Sequence, residues 1–154
     1  MTVDVKTRTT YVEPSDSDLY LSEVLPTSNP LMITWAILSG EEKAGFLQAA
    51  LRRLEDLNVV GRKVSYWQEL KFPRIAPGIP PNFDDAPREV KRAQVVWAAN
   101  IAREELYVKR RNVGACIALG IMRESEQQAN NAEEKTPALV KELMHRWITQ
   151  WRRL

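Results

Sequence analysis

The feature that most constrains this chain is a proline-rich stretch from residue 61 to 93, with the sequence GRKVSYWQELKFPRIAPGIPPNFDDAPREVKRA. Its prolines exclude regular helix over most of this length, because each removes a backbone donor and clashes with the preceding turn. Disordered linkers rarely carry so many large apolar groups. We therefore predict an ordered loop that wraps the helices, held to the core by four side chains: Trp67, Leu70, Phe72 and Phe83.

Two long amphipathic helices are predicted on either side of this loop. Apolar residues recur with helical spacing over residues 41–57, after a helix-start signal at Ser39. A second helix is predicted over residues 87–109, where alanines on one face permit close approach of another helix. The two should pack antiparallel or crossed. We therefore predict a mainly α fold, a small helical bundle with a long proline-rich wrapping loop.

Shorter elements are predicted before residue 41. A helix should begin at Pro14, and an apolar run over residues 31–38 supplies Ile33, Trp35 and Ile37 to the core. The first 12 residues are polar and extended in character, so they are predicted to form an N-terminal arm or an edge strand.

After the second long helix, a short β-hairpin is predicted near residues 108–122. A basic turn at residues 109–112 precedes the run VGACIALGIM, which is bracketed by Gly114 and Gly120. The same run could also continue the helix, and both interpretations remain open. The helical domain is predicted to cover residues 13–125, and residues 126–136 are predicted to be a polar linker.

The last predicted element is an amphipathic helix over residues 137–154, since Thr136 and Pro137 form a helix-start signal. Its apolar stripe is wide and aromatic, whereas the other face is basic. Three interpretations remain open: the stripe packs in the chain's own core, fills a groove on a partner, or lies on a membrane surface. The stripe consists of Leu139, Leu143, Trp147 and Trp151.

Composition and motifs argue against an enzyme. The formal net charge is only +2 among 154 residues, which argues against binding nucleic acid mainly through bulk charge. The single cysteine, Cys116, excludes an internal disulfide, and the single histidine, His145, excludes any site that needs two. No phosphate loop, zinc motif or nucleophile elbow is present. No cofactor is expected, and without a signal core or a spanning apolar run the chain is expected to stay in the cytosol.

Basic and aromatic residues alternate in the first part of the proline-rich stretch. Arg62, Lys63, Lys71 and Arg74 are interleaved with Tyr66, Trp67 and Phe72. Such mixtures stack bases and neutralise phosphates in single-strand binders. A structural loop with core aromatics and solvated or paired cations is the alternative. The prolines and the weak net charge favour this structural interpretation.

The same stretch also resembles a known family. The runs Gly61-Arg62-Lys63, Gln68-Glu69-Leu70-Lys71-Phe72-Pro73-Arg74 and Pro87-Arg88-Glu89-Val90-Lys91-Arg92-Ala93 are similar to the head–tail adaptor proteins of tailed bacteriophages. These are also called connector or head completion proteins, and many carry the label DnaT-like single-stranded DNA binding. The resemblance covers roughly residues 9–125. Residues 81–86 depart from it by an apparent insertion.

The resemblance implies a non-catalytic subunit of a ring, with about a dozen copies below the portal of the virion neck. Expected partners are further copies of the chain, the portal, a tail-side or stopper neck protein, and double-stranded DNA that slides through the channel; no membrane is expected. The alternative function is single-stranded DNA binding in replication. Deleting residues 136–154 is expected to abolish portal assembly and leave residues 9–125 folded.

The resemblance and the sequence pattern together nominate three groups of residues. The C-terminal stripe above is predicted to bind the portal. A motif loop with inter-subunit contacts is predicted from Arg62, Lys63, Gln68, Leu70, Phe72, Pro73 and Arg74. Basic residues that flank the predicted hairpin are candidates to face the DNA channel: Lys109, Arg110, Arg111 and Arg123.

Overall fold

The computed structural model describes residues 9–80, 82–115 and 136–148. It confirms a mainly helical fold with a small two-stranded antiparallel sheet. In chain order the elements are α1 (Pro14–Ser22), α2 (Pro30–Ala36), α3 (Gly40–Asp56), β1 (Arg62–Lys63), β2 (Arg74–Ile75), α4 (Arg88–Ala115), α5 (Ala138–Leu143) and a 3-10 turn (His145–Trp147).

Helix α3 forms where its periodicity and capping signals predict it. The Ser39 hydroxyl accepts a hydrogen bond from the Glu42 amide, and the Glu42 carboxylate accepts one from the Ser39 amide. This capping box satisfies two backbone donors that the helix start would otherwise leave unpaired. The apolar face of α3 is buried, with Leu47, Leu51 and Leu54 in the core.

Helix α4 is the centre of the bundle and contacts each of the four other α-helices in the described part of the chain. Most of its buried side chains are small or β-branched, with Gln94 and Trp97 as exceptions, so neighbouring helices approach closely. Because a closely packed face has no spare volume, a larger side chain at Ala98 or Ala99 is expected to cost about 1–3 kcal/mol in overpacking. The small and β-branched side chains of α4 that are fully buried are Val90, Ala93, Val95, Val96, Ala98, Ala99 and Ala102.

The prediction of a hairpin near residues 108–122 is wrong for residues 108–115. Residues 108–115 continue α4, and residues 116–122 lie outside the described residues. Lys and Arg are good helix formers, and one interior glycine costs a helix only about 1 kcal/mol. The basic run therefore extends the helix rather than turning, and Gly114 does not end it.

Helix α2 exposes two residues that the sequence assigned to the core. Ile33 is 58% exposed and Ile37 is 70% exposed, whereas Trp35 is buried. Residues 33 and 37 lie one helical turn apart and share a face, and residue 35 lies about 200° away from each. Because the Trp35 indole points inward, donating a hydrogen bond to the Ser17 hydroxyl at 3.2 Å, both isoleucines point outward.

The C-terminal segment, residues 138–148, is not a continuous helix. Helix α5 ends at Leu143, a single 3-10 turn follows, and Ile148 is extended. Val140, Met144, Trp147 and Ile148 are all buried in the core of the chain. Packing of these side chains overrides the helical pattern of the sequence. The predicted linker up to residue 135 and the last six residues lie outside the described residues.

Candidate nucleic-acid interface

The first half of the proline-rich stretch forms a hairpin loop over residues 62–75. Strands β1 and β2 pair antiparallel, with Arg62 opposite Ile75 and Lys63 opposite Arg74. Gly61 enters this hairpin with a φ of 82°, in the left-handed region that favours glycine. A Cβ atom at residue 61 would lie 2.3 Å from the Ile75 carbonyl oxygen, so a larger residue cannot fit without moving the ladder. Each strand has only two residues, which is too short to give an alternating apolar pattern, so the sequence predicts only a loop here.

Gln68 holds the loop together from inside. Its buried side chain accepts a hydrogen bond from the Ser65 amide at 3.1 Å. The side-chain nitrogen of Gln68 donates hydrogen bonds to the carbonyls of Leu70 at 2.8 Å and Pro73 at 3.0 Å. The Phe72–Pro73 peptide bond is cis. A primary amide suits this place because it offers a donor and an acceptor together.

Two residues that the sequence did not single out attach this loop to the bundle. The Glu55 carboxylate, on α3, accepts hydrogen bonds from the Lys71 amide at 3.0 Å and from the Tyr11 hydroxyl. The Tyr11 hydroxyl accepts a hydrogen bond from the Phe72 amide at 3.2 Å. Burial, together with the adjacent Glu55 carboxylate, raises the pKa of Tyr11 far above its ordinary value. The hydroxyl therefore remains a donor to Glu55 across the physiological pH range.

Three of the four basic residues in the hairpin loop donate hydrogen bonds to backbone carbonyls. Lys63 Nζ donates to the Gln68 carbonyl at 3.1 Å, and Lys71 Nζ donates to the Leu57 carbonyl at 2.6 Å. Arg74 Nε donates to the Val60 carbonyl at 2.9 Å, and burial lowers the pKa of Arg74. These cations hold the loop in shape.

Arg62 differs from those three cations. Its side chain is exposed and has no hydrogen-bond or ion-pair partner among the residues that the structure describes. Its guanidinium is therefore available to a phosphate.

An exposed aromatic pair lies at the tip of the hairpin loop. Tyr66 is 89% exposed and Trp67 is 73% exposed, and their ring centroids lie 5.2 Å apart at an interplanar angle of 89°. The sequence assigned Trp67 and Phe83 to the core, and both assignments are wrong, since Phe83 is 54% exposed. Phe72 is buried and Leu70 is half-buried, as predicted. Aromatic residue type alone does not tell which face of an irregular loop a ring occupies. We call Tyr66 and Trp67 the aromatic tip; Arg62 lies at the other end of the hairpin loop, in β1.

The predicted C-terminal stripe is divided by the structure. Leu139 and Leu143 are half-buried against the core, Trp147 is 1% exposed, and Trp151 lies outside the described residues. The Trp147 ring packs edge-on against Phe72, with centroids 4.9 Å apart. Portal binding through this stripe stays a prediction. Trp147 serves the chain's own core in this conformation.

The predicted channel-facing cations lie outside the hairpin loop in sequence. The backbone of Lys109, Arg110 and Arg111 belongs to α4, so these residues do not form the expected turn beside a hairpin. Arg123 lies outside the described residues. Their role in a DNA channel stays a prediction.

The described part of the chain contains no group of three or more His, Cys, Asp or Glu residues that could hold a metal ion. Within the same part, no helix is long and apolar enough to cross a membrane.

Comparison with known proteins identifies a family for this chain. A family model described as "Putative DnaT-like ssDNA binding protein" matches residues 5–153. No curated protein and no solved structure matches the chain. Because the family match covers nearly all of the 154 residues, the chain belongs to this family.

Proposed function

We propose that the chain binds single-stranded DNA through the aromatic tip. The observation that carries this proposal is the exposure of Tyr66 and Trp67 on a loop whose own hydrogen bonds are satisfied by Gln68. A rigid loop that holds two aromatic rings in solvent provides stacking surfaces with little ordering cost on binding. Base–aromatic stacking contributes about 1–3 kcal/mol per base in single-strand binders. The family description supports the same function.

The charge distribution predicts how this binding depends on salt. Arg62 is available for a phosphate, whereas Lys63, Lys71 and Arg74 hold backbone carbonyls. A hairpin loop that neutralises about one or two phosphates should show a logarithmic salt slope of roughly −0.7 to −1.4. Stacking, not charge, should therefore dominate the affinity of the tip. This differs from the steep salt dependence that the density of cations in the sequence alone would suggest.

The test is fluorescence anisotropy with a labelled oligothymidine. Tyr66→Ala and Trp67→Ala should each weaken binding by about fivefold or more, which corresponds to the lower limit of one lost stacking contact. Phe83→Ala is the matched control, because Phe83 is also an exposed aromatic and lies outside the tip. Equal affinities for all three variants, or no binding by the unmodified chain at physiological salt, would refute the proposal.

A second candidate function is the head–tail adaptor of a tailed phage, with the portal and a neck or tail protein as partners in the virion. The observation that favours it is the exposure of apolar side chains on α1 and α2. Leu19 is 57% exposed, and Ile33 and Ile37 are more exposed still. A ring subunit buries such side chains against its neighbours, since interface cores are apolar. Electron microscopy of the chain with its portal tests this function: a ring in register with the portal supports it.

The two functions can be separated with one more pair of variants. Ile33→Asp should abolish ring formation and leave oligonucleotide affinity unchanged, because α2 lies outside the aromatic tip. Trp67→Ala should show the opposite pattern if the tip binds DNA. Loss of the ring in Trp67→Ala, with no oligonucleotide binding by the unmodified chain, would assign the tip to the adaptor function instead.

A further inference from the structure

Trp147 contacts both places where the hairpin loop joins the bundle. Its backbone carbonyl accepts a hydrogen bond from the Val60 amide at 2.9 Å, two residues before β1. Its ring packs perpendicular to Phe72, two residues before β2, with centroids 4.9 Å apart. One residue from the far end of the chain therefore fixes the position of both strands of the loop that carries the aromatic tip.

Trp147 is itself held by the first turn of α4. Its indole Nε1 donates to Glu89 Oε1 at 3.0 Å, and Arg146 Nε donates to the same oxygen at 2.8 Å. Burial pushes the pKa of Glu89 up, but the hydrogen bonds from its own backbone amide, Trp147 and Arg146 together hold the pKa below its usual range. The carboxylate is therefore ionised at neutral pH and keeps both donors in place.

The contacts of the tip itself are local. Gln68 closes the loop internally, and Tyr11 and Glu55 hold Phe72 and Lys71 from the side of α3. Phe72 lies edge-on to Tyr11 as well as to Trp147, with centroids 5.9 Å from the Tyr11 ring. If Trp147 moves away, Phe72 loses one of two aromatic neighbours and the Val60 amide loses its acceptor. Both strands of the loop are then less restrained.

We propose that the C-terminal segment is a positioning element for the aromatic tip, with Trp147 as the positioning residue. Docking of residues 138–148 orders the loop over residues 60–75 and thereby sets the affinity of the tip for its ligand. Any event that lifts the segment from Phe72 and Glu89 loosens the tip. The regulatory part of this proposal rests on the proposed single-stranded DNA binding, whereas the ordering part is independent of it.

The first experiment measures amide hydrogen exchange in the full chain. Trp147→Phe keeps a ring against Phe72 and removes the donor to Glu89, so exchange at the loop amides should accelerate by about fivefold, the factor for one net hydrogen bond. Trp35→Phe is the matched control, because it also removes a buried indole hydrogen bond, which joins α2 to Ser17 on α1. The amides to follow are Val60, Val64, Gln68, Lys71 and Phe72.

Acceleration that is confined to these amides in Trp147→Phe supports the proposal. Unchanged exchange, or equal acceleration in Trp35→Phe, overturns it. If Trp147→Phe does not fold, amide exchange is measured in Glu89→Gln instead, and its outcomes are judged by the same criteria. Glu89→Gln removes the charge that pairs with Arg146 and should accelerate the same amides.

The second experiment measures oligothymidine affinity in a double-mutant cycle. Trp147→Phe should weaken binding in the unmodified chain and weaken it by a smaller factor in Trp67→Ala, because both changes act on one surface. Additive losses would mean that Trp147 contributes only general stability, and would overturn the regulatory part. Absence of oligonucleotide binding by the unmodified chain would refute the proposed function, and the exchange experiment would still decide whether the segment orders the loop.

Discussion

Removal of residues 136–154 is the perturbation with the largest predicted effect on stability. Four side chains of the segment are buried in the core: Val140, Met144, Trp147 and Ile148. Full burial of a large apolar side chain contributes about 1.5–3 kcal/mol, so the four together contribute roughly 6–12 kcal/mol. This sum is an upper estimate, since unfolded chains already bury part of their apolar surface. A domain has a total stability of only about 5–15 kcal/mol.

We therefore expect the truncated chain to lose cooperative unfolding at 25 °C. The measurement is a urea titration followed by circular dichroism at 222 nm. A graded version uses Trp147→Ala, which should cost about 3–5 kcal/mol and lower the urea midpoint by about 2 M. Trp67→Ala is the matched control and should change stability by less than about 0.5 kcal/mol, because Trp67 is exposed.

A truncated chain that keeps its helical signal and unfolds at the same urea concentration as the full chain would refute this reasoning. That outcome would agree instead with the sequence-based expectation, in which residues 9–125 fold without the C-terminal segment. The two expectations differ because the sequence shows an apolar stripe after a polar linker and does not show which surface the stripe covers.

Two further predictions concern polar groups. Gln68→Leu removes three internal hydrogen bonds of the loop and should lower the free energy of unfolding by about 3 kcal/mol. This loss corresponds to a fall of roughly 6–12 °C in the melting temperature. Gln48→Leu, at an exposed position of α3, is the control. Because the folded pKa of Glu89 is depressed, its contribution to stability is present at neutral pH and is lost as the pH falls below the ordinary value of 4.5. Urea midpoints should therefore fall between pH 6 and pH 3.5 by more in the unmodified chain than in Glu89→Gln, and equal pH profiles would contradict the assigned role of Glu89.

The long helices could be predicted from the sequence because local signals decide them. The capping box at Ser39 and the apolar spacing of α3 are readable within one turn and one face. The alanines of α4 indicated close packing before any contact was known. The sequence does not predict that α4 extends beyond residue 109, because Gly114 is compatible both with a strand boundary and with a helix interior, and local sequence does not choose between them.

The candidate site was less predictable because it depends on contacts between distant residues. Gln68 belongs to the motif that was singled out, but only the folded loop shows that its amide satisfies three backbone groups. Glu55 and Glu89 looked like ordinary charged residues on helix surfaces. The end of α5 at Leu143 also depends on a distant residue, since the Trp147 carbonyl accepts a hydrogen bond from the Val60 amide.

The placement of the tryptophans separates two optical signals within one chain. Trp35, Trp97 and Trp147 are buried, whereas Trp67 is exposed at the aromatic tip. Among the tryptophans in the described ranges, an aqueous quencher such as iodide should therefore reach Trp67 first, and the emission that it removes should be red-shifted. The emission that survives quenching should report on the bundle. Ligand binding at the tip and loosening of the helical core can then be followed in the same cuvette without an added label.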